Sequence, residues 1–128
     1  MEQTVRIEFW EDESGGGRCH VAEFLDSLGE IAALEIAEML EEGFDGRYLD
    51  ELFRKEKIRF PQDGLLYLRI EHKGKKIRLI GCLRGNKIIL VHGFVKKKIG
   101  DIPKTHIKSA RERIKNIPEN YGPKDLQN

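Results

Sequence analysis

The fold is decided by residues 64–113, GLLYLRIEHKGKKIRLIGCLRGNKIILVHGFVKKKIGDIPKTHIKSARER. The run divides into three short strands in two tight hairpins, a lysine cluster and an amphipathic helix. In the first hairpin, alternation sets Leu66, Leu68 and Ile70 on one face and Tyr67, Arg69 and Glu71 on the other. A turn at Lys73-Gly74 fixes a register in which Arg69 faces Arg78. Like charges directly opposite each other destabilise a sheet, so two facing arginines beside Lys75 and Lys76 read as a surface that receives an anion. A second turn at Gly85-Asn86 sets Gly93 beside Arg78, where the missing side chain would leave room for a ligand backbone. Lys96, Lys97 and Lys98 follow at the strand end. Each feature alone has an ordinary reading, since strand arginines are commonly solvated and lysines at a strand end guard an edge. Gathered in one hairpin unit, they point to an anionic polymer.

The rest of the composition agrees. With 128 residues the chain can bury one core, expected over residues 1–117, with residues 118–128 as a flexible tail. At 39% apolar and 35% charged residues, it is polar for a globular domain but not disordered. A net charge of +1 conceals an asymmetry: residues 1–60 carry 7 Lys+Arg against 16 Asp+Glu, and residues 61–128 carry 16 against 6. The basic half suits a polyanion such as nucleic acid. Cys19 and Cys82 lie far apart with no CxxC spacing, which favours reduced thiols in a cytosolic protein. No apolar run reaches the length of a membrane span and Met1-Glu2-Gln3 opens no signal peptide, so a soluble cytoplasmic location is expected, with no membrane partner. Cys19-His20, Cys82 and the scattered histidines share no ligand spacing, and neither a metal nor another cofactor is expected. Ser14–Arg18 is glycine-rich but lacks the residues that complete a phosphate loop, and reads as a connector.

Along the chain, Thr4–Trp10 alternates as a first strand. Val21–Leu28 forms a helix with Val21, Phe24, Leu25 and Leu28 on one stripe, and Gly29 breaks it. Ile31–Glu42 forms a second helix, with Ile31, Leu34, Ala37 and either Leu40 or Met39 expected inside and the glutamates outside; Gly43 is placed as its stop. Phe44–Asp63 reads as a loop with one helical turn, ended by Pro61. Pro103 opens a last helix to about Asn116, with Ile107, Ala110 and Ile114 inward. The order β-αα-βββ-α predicts an α+β domain in which a helical hairpin packs on a mainly antiparallel four-stranded sheet. Arg69 and Arg78 then lie on the other face, in a shallow cleft bordered by the C-terminal helix.

Several segments resemble the RelE/HigB toxins, above all the phage-type HigB branch. They are Ala22–Leu28, Leu66–Ile70 (Leu-Tyr-Leu-Arg-Ile), Lys76–Leu79 (Lys-Ile-Arg-Leu), His92–Lys97 (His-Gly-Phe-Val-Lys-Lys), and Ile102-Pro103-Lys104 with the helix to Arg113. The likeness covers about residues 4–116 in order and spacing; the ordered set is specific where no single motif is. It implies a RelE-like fold and the toxin of a toxin–antitoxin pair: a ribosome-dependent endoribonuclease, or mRNA interferase. Such a toxin inhibits translation by cutting messenger RNA in the 30S A site without a metal, and a helix-turn-helix antitoxin neutralises it. The chemistry is attack of a ribose 2′-hydroxyl on the adjacent phosphate, which needs a proton acceptor, cations for the phosphorane and an acid for the 5′ oxygen.

By the same resemblance Arg78 is the first choice for transition-state charge, with Arg69 on the preceding strand. Lys96 and Lys97 would grip phosphate, Lys97 also serving in proton transfer, with Lys98, Lys76 and Tyr67 contributing to RNA binding. Tyr67 stands where the branch commonly carries Glu, and Ile77 replaces an aromatic residue. The acid–base group stays open between His106, which is expected on the surface, His92, which the register points into the core, His72 near Arg69, and a lysine. A one-residue slip would turn His92 to the arginine face. The resemblance also admits a ParE-like inhibitor of DNA gyrase that cuts nothing, and an inactive relative that only binds nucleic acid.

Overall fold

The computed structural model describes residues 3–13, 16–97, 100–119 and 121. Five strands form one sheet: β1 (Arg6–Phe9), β2 (Ile58–Gln62), β3 (Leu65–His72), β4 (Lys75–Arg84) and β5 (Lys87–Lys96), in the order β1-β5-β4-β3-β2. All neighbours are antiparallel except β1, which runs parallel to β5. The helices are α1 (His20–Ser27), α2 (Glu30–Gly43), α3 (Leu49–Arg54) and α4 (Lys104–Ile114). The result is an α+β architecture with one strand and one short helix more than expected.

The extra strand is β2, which the sequence hides behind Pro61. A proline interrupts a central strand but is tolerated on an edge, and β2 is the edge; the pairing with β3 is irregular between Arg59 and Gln62, around that proline. The second difference concerns α2. Ile31 and Leu34, expected inside, are 70% and 62% exposed, while Ile36 and Leu40 are buried. Two apolar stripes overlap on this helix, and the sheet takes the one that begins at Ala33. Gly43 is the last helical residue rather than a left-handed stop, and Phe44 caps the helix instead.

Two cores result. Val21 and Leu25 of α1 and Ile36 and Leu40 of α2 pack on the face formed by Leu66, Leu68, Ile70, Ile77, Leu79, Ile88 and Leu90. On the opposite face Ala110 of α4, flanked by Ile107 and Ile114, covers Leu65, Ile80, Cys82, Ile89 and Val91. Tyr121, expected in a frayed tail, instead sets its ring edge-on to buried Trp10 with centroids 5.3 Å apart.

The turns behave as the residue types require. Lys73 and Gly74 both take positive φ, the primed turn that suits a two-residue hairpin, and Arg69 pairs with Arg78. Gly85 also takes positive φ, and Arg84 pairs with Lys87. Four residues further along β5, at Val91, the register expected from that turn fails. Gly81 pairs with Leu90 but Ile80 pairs with His92, so Val91 is an extra residue and the two strands carry a bulge. A Cβ on Gly81 would come within 1.9 Å of the Ile89 carbonyl oxygen, which is why glycine stands there.

Candidate functional site at the arginine face

The bulge corrects the expected neighbours of Arg78. Phe94, not Gly93, pairs with Arg78, and Gly93 pairs with Leu79 on the opposite face. A Cβ on Gly93 would meet Phe24 at 2.4 Å, so this glycine admits the α1 ring rather than a ligand. Beyond the bulge His92 turns to the arginine face, away from Leu90, with which it was expected to share the core.

The three central strands therefore present a grid on the α4 side. Tyr67, Ile80 and His92 form one row, Arg69, Arg78 and Phe94 the next, and Glu71, Lys76 and Lys96 the third. Arg78 sits at its centre and is 6% exposed, more enclosed than a residue lying off the core would be. Its Nη1 donates to the Ile77 carbonyl oxygen at 3.1 Å, and no carboxylate lies within ion-pair distance among the described residues. Burial, and after it the Arg69 charge, lowers the Arg78 pKa from its ordinary value. A guanidinium held in this way is short of anionic partners. Arg69 reaches the Glu56 carbonyl at 3.3 Å, towards the β2 edge.

Tyr67 and Lys96 also line a groove of about 820 Å³ between β2 and α4. Arg59, Phe60 and Gln62 form one wall, and Lys104, Ile107, Lys108, Arg111 and Lys115 form the other. Arg59 is paired with Glu56 at 2.5 Å and Arg111 donates to Gln62 at 2.6 Å. Lys96, Lys104, Lys108 and Lys115 are held in no ion pair among the described residues. An exposed aromatic ring, Phe60, stands among these cations. Cations that follow a backbone, with a ring on which a base can stack, are the elements of a single-stranded nucleic-acid groove. The basic side of α4 was missed in the sequence, although Lys104, Lys108, Arg111 and Lys115 recur at helical spacing.

The remaining candidates divide. Lys76 lies in the grid, whereas Lys97, just beyond β5, is exposed and absent from the groove lining. Lys98 lies outside the described residues. His72 is on the α1–α2 face, away from Arg69, with Nε2 2.9 Å from Glu35; this bond, and next Lys73, lowers the Glu35 pKa. His106 is not the solvated residue expected but half-buried, stacked on Phe94 with centroids 4.0 Å apart and planes 8° apart. Its Nδ1 lies 2.8 Å from Nε2 of His92, whose Nδ1 lies 2.7 Å from Nη1 of Arg113. Among the described residues no three His, Cys, Asp or Glu side chains converge for a metal, and no helix is long and apolar enough to cross a membrane. Burial raises the Cys82 thiol pKa.

Burial, reinforced by Arg113, pushes His92 down to about 4. The folded protein then binds fewer protons than the unfolded chain between about pH 6.5 and pH 4, so stability is lost as the pH is lowered through that window. Burial also lowers His106 and His20, in the same direction. The unfolding free energy from urea titrations is expected to drop between pH 7 and pH 5 by roughly 1–2 kcal/mol attributable to His92. In His92→Asn the drop should shrink by that amount, and an equal drop in both proteins would contradict the assignment.

A family model described as "Phage derived protein Gp49-like (DUF891)" matches residues 23–115, a span that runs from α1 through α4 and holds the whole grid. Comparison with curated proteins and with solved structures returned no match.

Proposed function

The chain belongs to the Gp49-like phage-derived family, a family of RelE/HigB-like toxins, and from that membership we propose that it is a ribosome-dependent endoribonuclease. The observation that carries the proposal is Arg78, a buried guanidinium without a carboxylate partner among the described residues, beside a cationic groove of about 820 Å³. A scissile phosphate over Arg78 would supply the missing anion, and the guanidinium would stabilise the charge that grows on it as the ribose 2′-hydroxyl attacks. Arg69, directly opposite, adds a second positive charge. Lys96, Lys104 and Lys108 would track the flanking phosphates, while Phe60 and Tyr67 offer rings to unstacked bases. Lys76 supports the same field, and Lys97 is the lysine kept as a proton carrier. The toxin acts on messenger RNA in the 30S A site and is held in check by a helix-turn-helix antitoxin.

Expression of the chain alone should arrest growth, and co-expression of a cognate antitoxin should relieve the arrest. Purified protein should cut ribosome-bound message equally well with and without a chelator selective for transition metals, which leaves the ribosomal magnesium in place. A gyrase-directed toxin would arrest growth while leaving message intact, and that result would remove the nuclease reading. Replacing Lys96 and Lys108 together by alanine should weaken binding to a single-stranded RNA. The slope of log affinity against log salt should flatten by about 1.4 for the two lost phosphate contacts. An unchanged slope would show that these lysines do not touch the RNA backbone.

A further inference from the structure

We propose that Arg113, acting through His92, holds His106 as a neutral imidazole with its proton on Nε2, so that His106 serves the site as a fixed hydrogen-bond donor rather than as its acid or base. The inference rests on the nuclease reading for its catalytic consequence but on geometry alone for the proton positions.

Proton positions along the chain follow from its first member. A guanidinium only donates, so the 2.7 Å contact makes Nδ1 of His92 an acceptor and leaves that nitrogen bare. A neutral His92 then carries its proton on Nε2, and the 2.8 Å contact donates it to Nδ1 of His106. With Nδ1 accepting, neutral His106 carries its proton on Nε2. Protonating His106 would put a second proton on Nδ1, against the hydrogen already aimed there. His92 would have to release that hydrogen and take one at Nδ1, against Arg113. The chain therefore resists a charge on either ring.

The origin of the arrangement is the bulge. Nη1 of Arg113 also donates to the carbonyl oxygen of Val91, the extra residue, at 3.1 Å. One guanidinium thus binds both the bulge and the imidazole that the bulge turns to this face. The charged groups around Arg113 come from three elements. Asp12 follows β1, Arg18 and Glu23 flank the start of α1, and Glu112 precedes Arg113 on α4; His20 of α1 lies near enough to act on His92. Arg18 is occupied by Glu23, with Nε 2.8 Å and 2.9 Å from the two carboxylate oxygens. Burial holds His106 below the ordinary imidazole pKa, which works in the same direction.

At the other end His106 lies flat on Phe94, the cross-strand partner of Arg78. A neutral Nε2–H on the ring that covers Phe94 is suited to donate to a phosphate oxygen and is not suited to take the 2′ proton. Arg113 and His92 are positioning residues in this scheme. The proton carriers of the reaction lie elsewhere, and His106 contributes no ionisation to the rate near neutral pH.

The decisive experiment is 15N NMR of the histidine rings in the full-length protein across about pH 5 to 8, in wild type, Arg113→Met and Arg113→Lys. The wild type should show His106 as the Nε2–H tautomer without titration in that range. Arg113→Met should give a mixture of tautomers with a midpoint moved up towards ordinary imidazole, and Arg113→Lys should restore the wild-type signature. An Nδ1–H tautomer or a titrating His106 in the wild type overturns the proposal, as does an unchanged tautomer in Arg113→Met. Cleavage of ribosome-bound message across the same range should acquire a histidine inflection only in Arg113→Met. Intact message with every protein would remove the nuclease reading, while the NMR result alone would still decide the proton chain.

Discussion

Replacing Arg78 by glutamine is expected to lower the cleavage rate on ribosome-bound message by about two to three orders of magnitude, the range found when a group aimed at developing charge is removed. The expectation follows from where the side chain sits. Arg78 occupies the centre of the grid, opposite both Arg69 and Phe94, and its buried guanidinium has no carboxylate partner among the described residues. Stability should not fall with activity. Removing a buried, unpaired cation relieves a desolvation penalty, so the melting temperature should be unchanged or higher. Single-turnover cleavage together with a thermal melt separates the two effects. A variant that cuts within a few-fold of wild type would show that the charge is not used.

The second large effect belongs to the fold. Gly81→Ala is expected to cost at least about 3 kcal/mol, at the upper end for added volume in a packed interior. The new methyl would meet the Ile89 carbonyl oxygen at 1.9 Å, and a backbone atom within a central pair of strands cannot step aside. For a domain of this size the loss corresponds to a fall in melting temperature on the order of 10 °C. Gly93→Ala provides the contrast. Its closest neighbour is the Phe24 ring at 2.4 Å, a side chain able to rotate, and a cost of roughly 1–2 kcal/mol is expected. Equal melting of Gly81→Ala and wild type would mean that β4 and β5 pair without this bulge. His92 would then face the other way, and the proton chain to His106 would be lost with it.

Those two glycines also mark how far the sequence could be read. Turn chemistry specified both hairpins, and the pairing of Arg69 with Arg78 follows from Lys73-Gly74 alone. The amphipathic stripes of α1 and α4 were legible because each has one continuous apolar face. The bulge was not, because the close approach of Gly81 to the Ile89 carbonyl that goes with it exists only once the strands are paired. Beyond it every β5 side chain changes face, which exchanged Gly93 for Phe94 beside Arg78. Proline rules favoured a loop where Pro61 lies on an edge strand, and so concealed β2. In α2 the two stripes carry the same residue types, Ile31 and Leu34 in one and Ile36 and Leu40 in the other, so side-chain size did not tell which of them the sheet buries.

For the site, charge and alternation picked out Arg69, Arg78, Lys76 and Tyr67 on one face, and Lys96, chosen for its charge, joins them in the grid because the bulge turns it there. The lysines of α4 were overlooked because only the inner stripe of that helix, Ile107, Ala110 and Ile114, was read. The groove they share with Phe60 exists only when β2 is in place. His72 was chosen by nearness in sequence to Arg69, whereas alternation sends it to Glu35 on the opposite face.

On the proposed function, this arginine face cuts RNA on the ribosome. Primer extension on a defined messenger RNA, with the wild-type protein and with purified ribosomes present or omitted, tests it most directly. Cuts within codons are expected, and only when ribosomes are present. An intact message in the presence of translating ribosomes, from protein that still arrests growth, would contradict it.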